Sequence, residues 1–179
     1  MRCDLDPVPW GTTRQMKAVV RDEYGAPAVL RVEALPEPVA RDGEVIVQVR
    51  AASVAKGDWE ILNGSPAWVR VSGFGLWRPK HRVLGYNFAG VVSAVGPGTE
   101  RLAVGDEVFG DTLMHGLGAF AESVRVPEVA AVARKPDSVS FEDAASVPES
   151  GFIALQALRK ARVEAGHRVL VNGAGGGAG

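Results

Sequence analysis

Cysteine is almost absent from this chain of 179 residues, in which Cys3 is the only one. A single cysteine excludes an intramolecular disulfide framework and is typical of a protein from a reducing compartment. An excess of either charge is missing too, since the formal net charge is -1. Near-neutrality without a basic run argues against a nucleic-acid surface or a polybasic membrane patch. We therefore expect neither nucleic acid nor a membrane as a partner.

The chain also lacks a secretory signal and an apolar stretch long enough to span a bilayer. Residues 1–15 carry prolines and a glycine among charges and have no apolar central region, which excludes a signal peptide. The uncharged stretch at 83–99 is interrupted by glycines, an asparagine and a proline, so it does not indicate a membrane span. We expect residues 1–15 to be a disordered extension and the protein to be cytoplasmic.

From residue 16 the sequence consists of short β-type segments separated by turn residues. The clearest is 44–51, in which apolar and polar residues alternate after an Asp-Gly turn. Several short strands with this punctuation predict an antiparallel sheet that closes into a partly open β-barrel. The other predicted strands are 16–21, 29–33, 83–95, 106–110, 120–127 and 129–134.

Two features interrupt the strands in the first half of the chain. Residues 52–63 predict one or two helical turns opened by Asp58, whose side chain can cap the backbone donors that follow, and ended by Gly64. Residues 66–80 are rich in glycine and aromatic residues without periodicity, which predicts a long loop. Its aromatic side chains either form a lid or binding surface or pack beneath the loop, and both interpretations stay open.

The pattern changes to helix after residue 139. Ser140 precedes Asp143 by three positions, the spacing of a capping box at the start of a helix. Pro148 interrupts this helix, and apolar residues then recur at helical spacing over 149–161. An all-β body that passes into helix marks a domain boundary near Pro148. The predicted division is an extension at 1–15, a barrel domain at 16–147 and the start of a second domain at 148–179.

The chain ends in an apolar run, Val169 to Val171, followed by a tract of glycine and alanine. The run predicts a buried strand of a parallel sheet, and the tract predicts the sharp turn after it. Backbone N–H groups of such a turn, with the N-terminus of a following helix, can hold the pyrophosphate of a dinucleotide. A flexible linker is the competing interpretation. The predicted cofactor-binding residues are Ala174, Gly175, Gly176, Gly177 and Gly179, with Ala174, Gly176 and Gly179 at the three fingerprint positions.

Taken in order, these segments resemble the medium-chain dehydrogenase/reductase superfamily, and within it the zinc-free quinone oxidoreductase-like branch. The resemblance covers residues 16–179. It implies a mixed α/β fold: a GroES-like, partly open β-barrel followed by the first elements of a doubly wound Rossmann domain, with the active site between them. The segments that carry it are 16–19, 43–45, 85–91 with Gly96, 105–110, 118–122 and 169–179.

Zinc enzymes of this superfamily hold the metal with a cysteine and a Gly-His-Glu motif. Here Ala55 stands at the cysteine position, and Tyr86 and Asn87 follow Gly85. Alanine and tyrosine cannot build a tetrahedral nitrogen and sulfur site. His81, His115 and His167 lack the spacing of a metal site and are interpreted as polar surface residues. We expect no metal.

The resemblance also implies which side chains line the cleft beside a nicotinamide. Tyr86 and Lys56 are the candidates for catalysis, and Trp59, Glu60 and Tyr86 for substrate contact. Tyr86 can donate a hydrogen bond to an oxyanion, or it can be packed under the barrel with its hydroxyl already satisfied. Related sequences usually carry asparagine, threonine and a hydroxyl residue where this chain has Ala55, Ile153 and Gly175.

The function that follows is reduction of a quinone or an α,β-unsaturated carbonyl, with NADP(H) or NAD(H) supplying the hydride. Conjugate reduction spreads the developing charge, so it demands less of a site without a Lewis acid. We expect the activity to need a longer parent chain, homodimeric in its full-length form, in which this segment is the N-terminal part. The alternative is a non-catalytic GroES-like binding module, or a truncated and inactive gene product.

Overall fold

A computed structural model describes residues 14–179, and the predicted extension lies outside these residues except for its end. Strand β1 (Gln15–Val20) pairs antiparallel with β2 (Arg31–Pro36). A second, antiparallel sheet has five strands: β3 (Glu44–Ala52), β4 (Asn87–Val95), β5 (Glu107–Asp111), β6 (Ser123–Pro127) and β7 (Ala131–Arg134). Their order in the sheet is β6-β3-β4-β5-β7. Three α-helices of this part of the chain accompany the sheets: α1 (Lys56–Asn63), α2 (Phe141–Ser146) and α3 (Pro148–Lys160).

The two sheets join into a partly open barrel because β1 pairs with segments between the strands of the larger sheet. The Val19 N–H donates to the Phe120 carbonyl at 2.8 Å, and the Arg21 N–H to the Arg82 carbonyl at 2.9 Å. These bonds satisfy the outer edge of β1, which would otherwise stay open for pairing. The expected mixed fold with a partly open barrel is confirmed.

The barrel is filled by β-branched and aromatic side chains of the strands. Val45 and Val47 of β3 lie in one cluster with Phe88 and Val92 of β4, and all four are buried. The two strands are neighbours inside the larger sheet, where a pleated, enclosed surface suits β-branched residues. The same cluster extends through Leu102, Val108, Ala119, Val124, Val126, Ala130 and Val132.

Helix α2 closes one face of the sheet with small residues. Its Ala144 and Ala145 pack against Ala89 of β4. The predicted capping is confirmed: the Ser140 Oγ accepts from the Asp143 N–H at 3.0 Å. Pro148 is the first residue of α3. Proline is tolerated at this position because the N–H that it lacks would have no partner within the helix. The chain therefore passes from α2 into α3 at this point.

Helix α3 carries the predicted apolar residues, and they face solvent. Phe152, Ile153, Leu155 and Leu158 are all exposed. None of the helices within residues 14–179 combines the length and apolarity that crossing a bilayer requires.

The strand predicted at 169–171 is wrong for this chain. Val169, Leu170 and Val171 have no regular secondary structure and are exposed, Leu170 to 93%. A strand exists only when a neighbour accepts and donates its backbone hydrogen bonds, and no segment of 14–179 pairs with these residues. Apolar character alone therefore did not decide their conformation.

Candidate active site

Helix α1 forms one wall of the site, and its first turn is fixed by Asp58. The Asp58 carboxylate accepts from the Ala55 N–H at 2.9 Å and is buried. Asp58 was expected to open the helix and cap the donors after it. Instead the helix begins at Lys56 and Asp58 is its third residue, reaching back to the N-terminal flank. This is the acidic half of a capping box, whose other half Ala55 cannot supply from its side chain.

The opposite end of α1 is held by Arg21 and Gly64. Arg21 is fully buried, and its Nη1 donates to the Ile61 carbonyl and, at 2.9 Å, to the Leu62 carbonyl. These carbonyls belong to the last turn, where a cation also interacts favourably with the helix dipole. Burial lowers the pKa of Arg21 to about 10, so the guanidinium stays charged at neutral pH. Gly64, in the left-handed conformation with φ of 62°, ends the helix as predicted.

Tyr86 lies directly before β4 and connects the barrel to α3. Its side chain is fully buried, and its hydroxyl donates to the Glu149 Oε2 at 2.9 Å. The Glu149 N–H in turn donates to the Asn87 Oδ1 at 3.2 Å. Two adjacent residues of the barrel thus fix the first turn of α3. Space for the phenol comes from Gly57, since a Cβ at that position would lie 2.5 Å from the Tyr86 hydroxyl oxygen.

Carboxyl groups gather around this tyrosine. Burial, and then the hydrogen bond to Glu149, raise the pKa of Tyr86 above its usual value. Burial raises the pKa of Asp58 to about 6, with Glu149 and Asp111 adding to the effect. Burial also raises the pKa of Asp111. The hydroxyl of Tyr86 therefore stays protonated throughout the physiological range, in a region of negative potential.

A cavity of about 760 Å³ opens beside Tyr86. It is mostly apolar with a few polar groups, as ligand sites commonly are. Its walls come from α1, from residues 68–81, from the turn at 113–116 and from the start of α3. The lining residues are Gly57, Glu60, Ile61, Trp68, Val69, Ser72, Gly73, Phe74, Lys80, His81, Tyr86, Leu113, Met114, His115, Gly116 and Glu149.

The structure brings only some of the predicted site residues together. Tyr86 and Glu60 lie on the cavity wall. Lys56 does not line it: its side chain is 87% exposed and lies 3.6 Å from the Glu60 carboxylate, because residues four apart share a helix face. Trp59, one position before Glu60 along the helix, is 55% exposed and also lies outside the lining set.

The loop at 66–80 divides between the two interpretations. Phe74 packs against the cluster that contains Ile61 and Tyr86, whereas Trp68 is exposed and lines the cavity. Leu76 and Trp77 are exposed. Within the loop, residues Arg70–Phe74 form a short π-type turn.

Two lining residues were missed or misread from the sequence. Glu149 follows Pro148 at a helix start, where the helix dipole alone favours an acidic residue. No sequence signal therefore marks it as a site residue. His81 was interpreted as a surface residue, but it is half-buried, and its ring meets the Phe74 ring edge-on at 6.5 Å. Burial lowers its pKa. His115 and His167 are exposed, as expected.

The glycine tract folds into successive turns and does not line this cavity. The Gly176 N–H donates to the Gly173 carbonyl and the Gly179 N–H to the Gly176 carbonyl, both at 3.1 Å. A Cβ at Gly177 would lie 2.6 Å from the Ser150 Oγ in the first turn of α3, so a larger residue there would require the serine hydroxyl to turn away. The five predicted cofactor-binding residues are thus exposed backbone beside a helix start.

A partly open antiparallel barrel with a side cavity between α1, a glycine-rich loop and a following helix defines a GroES-like domain. Residues 41–137 match the alcohol dehydrogenase GroES-like domain family, and the chain belongs to that family. Its relatives include quinone and enone oxidoreductases of the medium-chain dehydrogenase/reductase superfamily.

Three relatives illustrate the similarity. The chain is 34% identical to 2-methylene-furan-3-one reductase of Solanum lycopersicum over 92% of its own length and 42% of the relative's. It is equally identical to the chloroplastic NADPH-dependent alkenal/one oxidoreductase of Arabidopsis thaliana, over 91% and 42% of the two chains. The solved quinone oxidoreductase of Coxiella burnetii superposes with a TM-score of 0.73 at 33% identity, over 86% and 47%. The chain thus spans less than half the length of these relatives.

Proposed function

We propose that this chain carries the substrate-binding part of an NAD(P)H-dependent, zinc-independent reductase of quinones or α,β-unsaturated carbonyls. The observation that carries the proposal is the largely apolar cavity with the Tyr86 and Glu149 pair at one end. A planar conjugated ketone suits such a site, because apolar walls bury its carbon skeleton and one polar end orients its carbonyl. The substrate is a small molecule, as for the relatives, and the predicted homodimer of a longer form remains part of the proposal.

The residues present fit a dinucleotide cofactor in part. The turns at 173–179 bring exposed backbone beside the first turn of α3, although the Gly176 and Gly179 N–H groups already donate to carbonyls of the tract. Backbone N–H groups of these turns would hold the pyrophosphate. The preceding strand that would fix their position is not formed. When bound, a nicotinamide would supply the hydride.

Zinc independence rests on donor chemistry. Ala55 offers no ligand atom, and the phenol of Tyr86 donates to Glu149. Within residues 14–179, no three His, Cys, Asp or Glu side chains are grouped so that they could hold a metal ion. A carbonyl at this site would be polarised by hydrogen bonds instead.

The chain's own residues orient the substrate and exclude water. Phe74 and Ile61 supply an apolar floor, and Trp68 lines the wall as an exposed aromatic side chain. Tyr86 remains protonated, and its proton is donated to Glu149. It can place this proton beside the substrate carbonyl only if its hydroxyl turns from Glu149 toward the substrate. Glu60 is paired with Lys56 and lines the wall.

The test is ligand-observed NMR titration of the chain with trans-4-phenylbut-3-en-2-one. We expect saturable binding that is lost in Ser72→Trp, which fills the cavity, and kept in Val71→Trp, whose neighbouring position is exposed and does not line it. Binding that ignores both substitutions, or no binding at all, would refute the cavity as the substrate site. A parallel NADPH titration is expected to show weak binding, since the glycine tract has no strand to hold it.

A second candidate is a binding module without catalysis. It is favoured by the hydroxyl of Tyr86, whose single proton is already donated to Glu149, and by the apolar residues at Ala55 and Ile153. Tight enone binding with no measurable NADPH binding, even in a longer form of the protein, would favour this candidate.

A further inference from the structure

Within the described residues, Glu149 is the one acidic residue of the cavity wall that lacks a cation beside it. Glu60, the other carboxylate of the lining, lies 3.6 Å from the Lys56 ammonium. Among residues 14–179, no lysine, arginine or histidine nitrogen lies within ion-pair distance of Glu149. Its neighbours are a phenol hydroxyl at 2.9 Å and, through space, the carboxyls of Asp58 and Asp111, on both of which Glu149 acts electrostatically.

The surroundings reinforce this charge. Asp58 and Asp111 both lie close enough to act electrostatically on Tyr86, and both are at least half-buried. Lys80, His81 and His115 are the basic residues of the lining; Lys80 and His115 are exposed, where water screens their charge, and His115 partly offsets the charge of Asp111. The Tyr86 end of the cavity is therefore negative and poorly screened.

We propose that Glu149 makes this end of the cavity selective for uncharged carbonyl compounds and against carboxylates. The inference rests on the proposed function, in which the cavity holds the substrate, and it names the substrate class more closely. A carboxylate placed beside Tyr86 would face a carboxylate that has no cation beside it and only the partial positive charge of the α3 N-terminus to offset it, and it would lose its own hydration. A ketone or quinone of the same shape carries no net charge, so it avoids the repulsion and loses far less hydration.

The hydrogen bond from Tyr86 holds Glu149 at this end of the cavity. The hydroxyl has one proton to donate, and Glu149 accepts it. A ketone and a carboxylate both need a donor, and each would meet an oxygen lone pair there unless the hydroxyl turns toward it, so the discrimination comes from the charge of Glu149. Selectivity thus comes from a repulsive element in the site as well as from the fit of the skeleton.

The experiment compares three ligands with one phenyl-vinyl skeleton: trans-4-phenylbut-3-en-2-one, trans-cinnamate and cinnamylamine. Dissociation constants are measured by ligand-observed NMR for the wild type, Glu149→Gln and the control Glu142→Gln, an exposed residue of α2 away from the cavity. In the wild type we expect cinnamate to bind at least about tenfold more weakly than the ketone, and the ammonium compound no more weakly than the ketone. Glu149→Gln is expected to bring cinnamate within about threefold of the ketone, chiefly by improving cinnamate binding.

Circular dichroism will show whether Glu149→Gln folds. If it folds poorly, the comparison of ketone and cinnamate binding in the wild type still tests the proposal. Ketone binding with equally tight cinnamate binding would overturn the role of Glu149 and leave the proposed function standing. Selectivity that persists unchanged in Glu149→Gln would also overturn it. Failure of all three ligands to bind would overturn the proposed function and the inference together.

Discussion

Gly57 should be the least replaceable residue of α1, because the Tyr86 phenol occupies the space beside it. A Cβ at Gly57 would lie 2.5 Å from the Tyr86 hydroxyl oxygen and 3.3 Å from its Cζ. We therefore expect Gly57→Ala to displace the hydroxyl and lengthen its bond to Glu149. Overpacking costs about 1–3 kcal/mol, and a weakened bond to a charged acceptor adds about 1 kcal/mol. The gain in helix propensity offsets up to about 1 kcal/mol.

The expected net loss is about 2 kcal/mol of the free energy of unfolding. Urea denaturation followed by circular dichroism measures it. Gly175→Ala is the matched control, since nothing lies within 4 Å of a Cβ there, and it should change the free energy by less than about 0.5 kcal/mol.

A double-mutant cycle isolates the contact. Tyr86→Phe alone should cost about 1.5–3 kcal/mol, because it removes the hydroxyl that Glu149 accepts from. In Tyr86→Phe the clashing oxygen is gone, so adding Gly57→Ala should cost at least about 1 kcal/mol less than it does in the wild type. Additive effects of the two substitutions, or a neutral Gly57→Ala, would show that the phenol does not lie against Gly57.

Three further perturbations test other parts of the structure. Burial raises the folded-state pKa of Asp58 to about 6, so its contribution to stability is complete below the usual pKa of 3.8 and is lost as pH rises through about 6. Between about pH 4 and 7, the free energy of unfolding should fall by up to about 3 kcal/mol less in Asp58→Asn than in the wild type, as measured by urea midpoints. The same pH dependence in both proteins would contradict the raised pKa of Asp58. Ser140→Ala should lower the free energy of unfolding by about 1 kcal/mol, measured in thermal scans, because it removes the α2 cap. Ser140→Thr keeps the hydroxyl and should change that free energy by less than about 0.5 kcal/mol. Similar losses in both variants would argue against the cap. Leu170→Lys should leave the free energy of unfolding within about 0.5 kcal/mol, whereas Val47→Ala in the barrel should cost roughly 2 kcal/mol; equal losses would mean that 169–171 pack as a strand after all.

Much of the barrel could be predicted because its signals are local. Alternation over 44–51 and the turn before it gave a strand whose bounds differ from β3 by a single residue at the end. Gly64 and Ser140 act on the backbone within one turn, so their capping roles are readable without tertiary information. Pro148 marked the step between α2 and α3 for the same reason, since proline is tolerated at the first position of a helix.

The site was predicted less well because its contacts are distant in sequence. Tyr86 and Glu149 are 63 positions apart, and nothing near Glu149 distinguishes it from an ordinary acid in a first helical turn. Lys56 and Trp59 were candidates on resemblance alone, but the rotation of α1 leaves both outside the cavity and places Glu60 on its wall. The terminal run at 169–171 failed as a strand because pairing needs a partner that composition does not reveal.

The sequence by itself determined most of the barrel strands, the caps at Gly64 and Ser140 and the family, since these depend on side-chain periodicity, on local backbone capping and on the order of motifs. Only the tertiary structure decided which polar groups share the cavity. Closing the barrel buries Tyr86 and brings α3 against it, so the phenol must find a buried acceptor, and the first turn of α3 supplies the Glu149 carboxylate. The charge at that end of the cavity is a product of this packing, and no local stretch of the sequence encodes it.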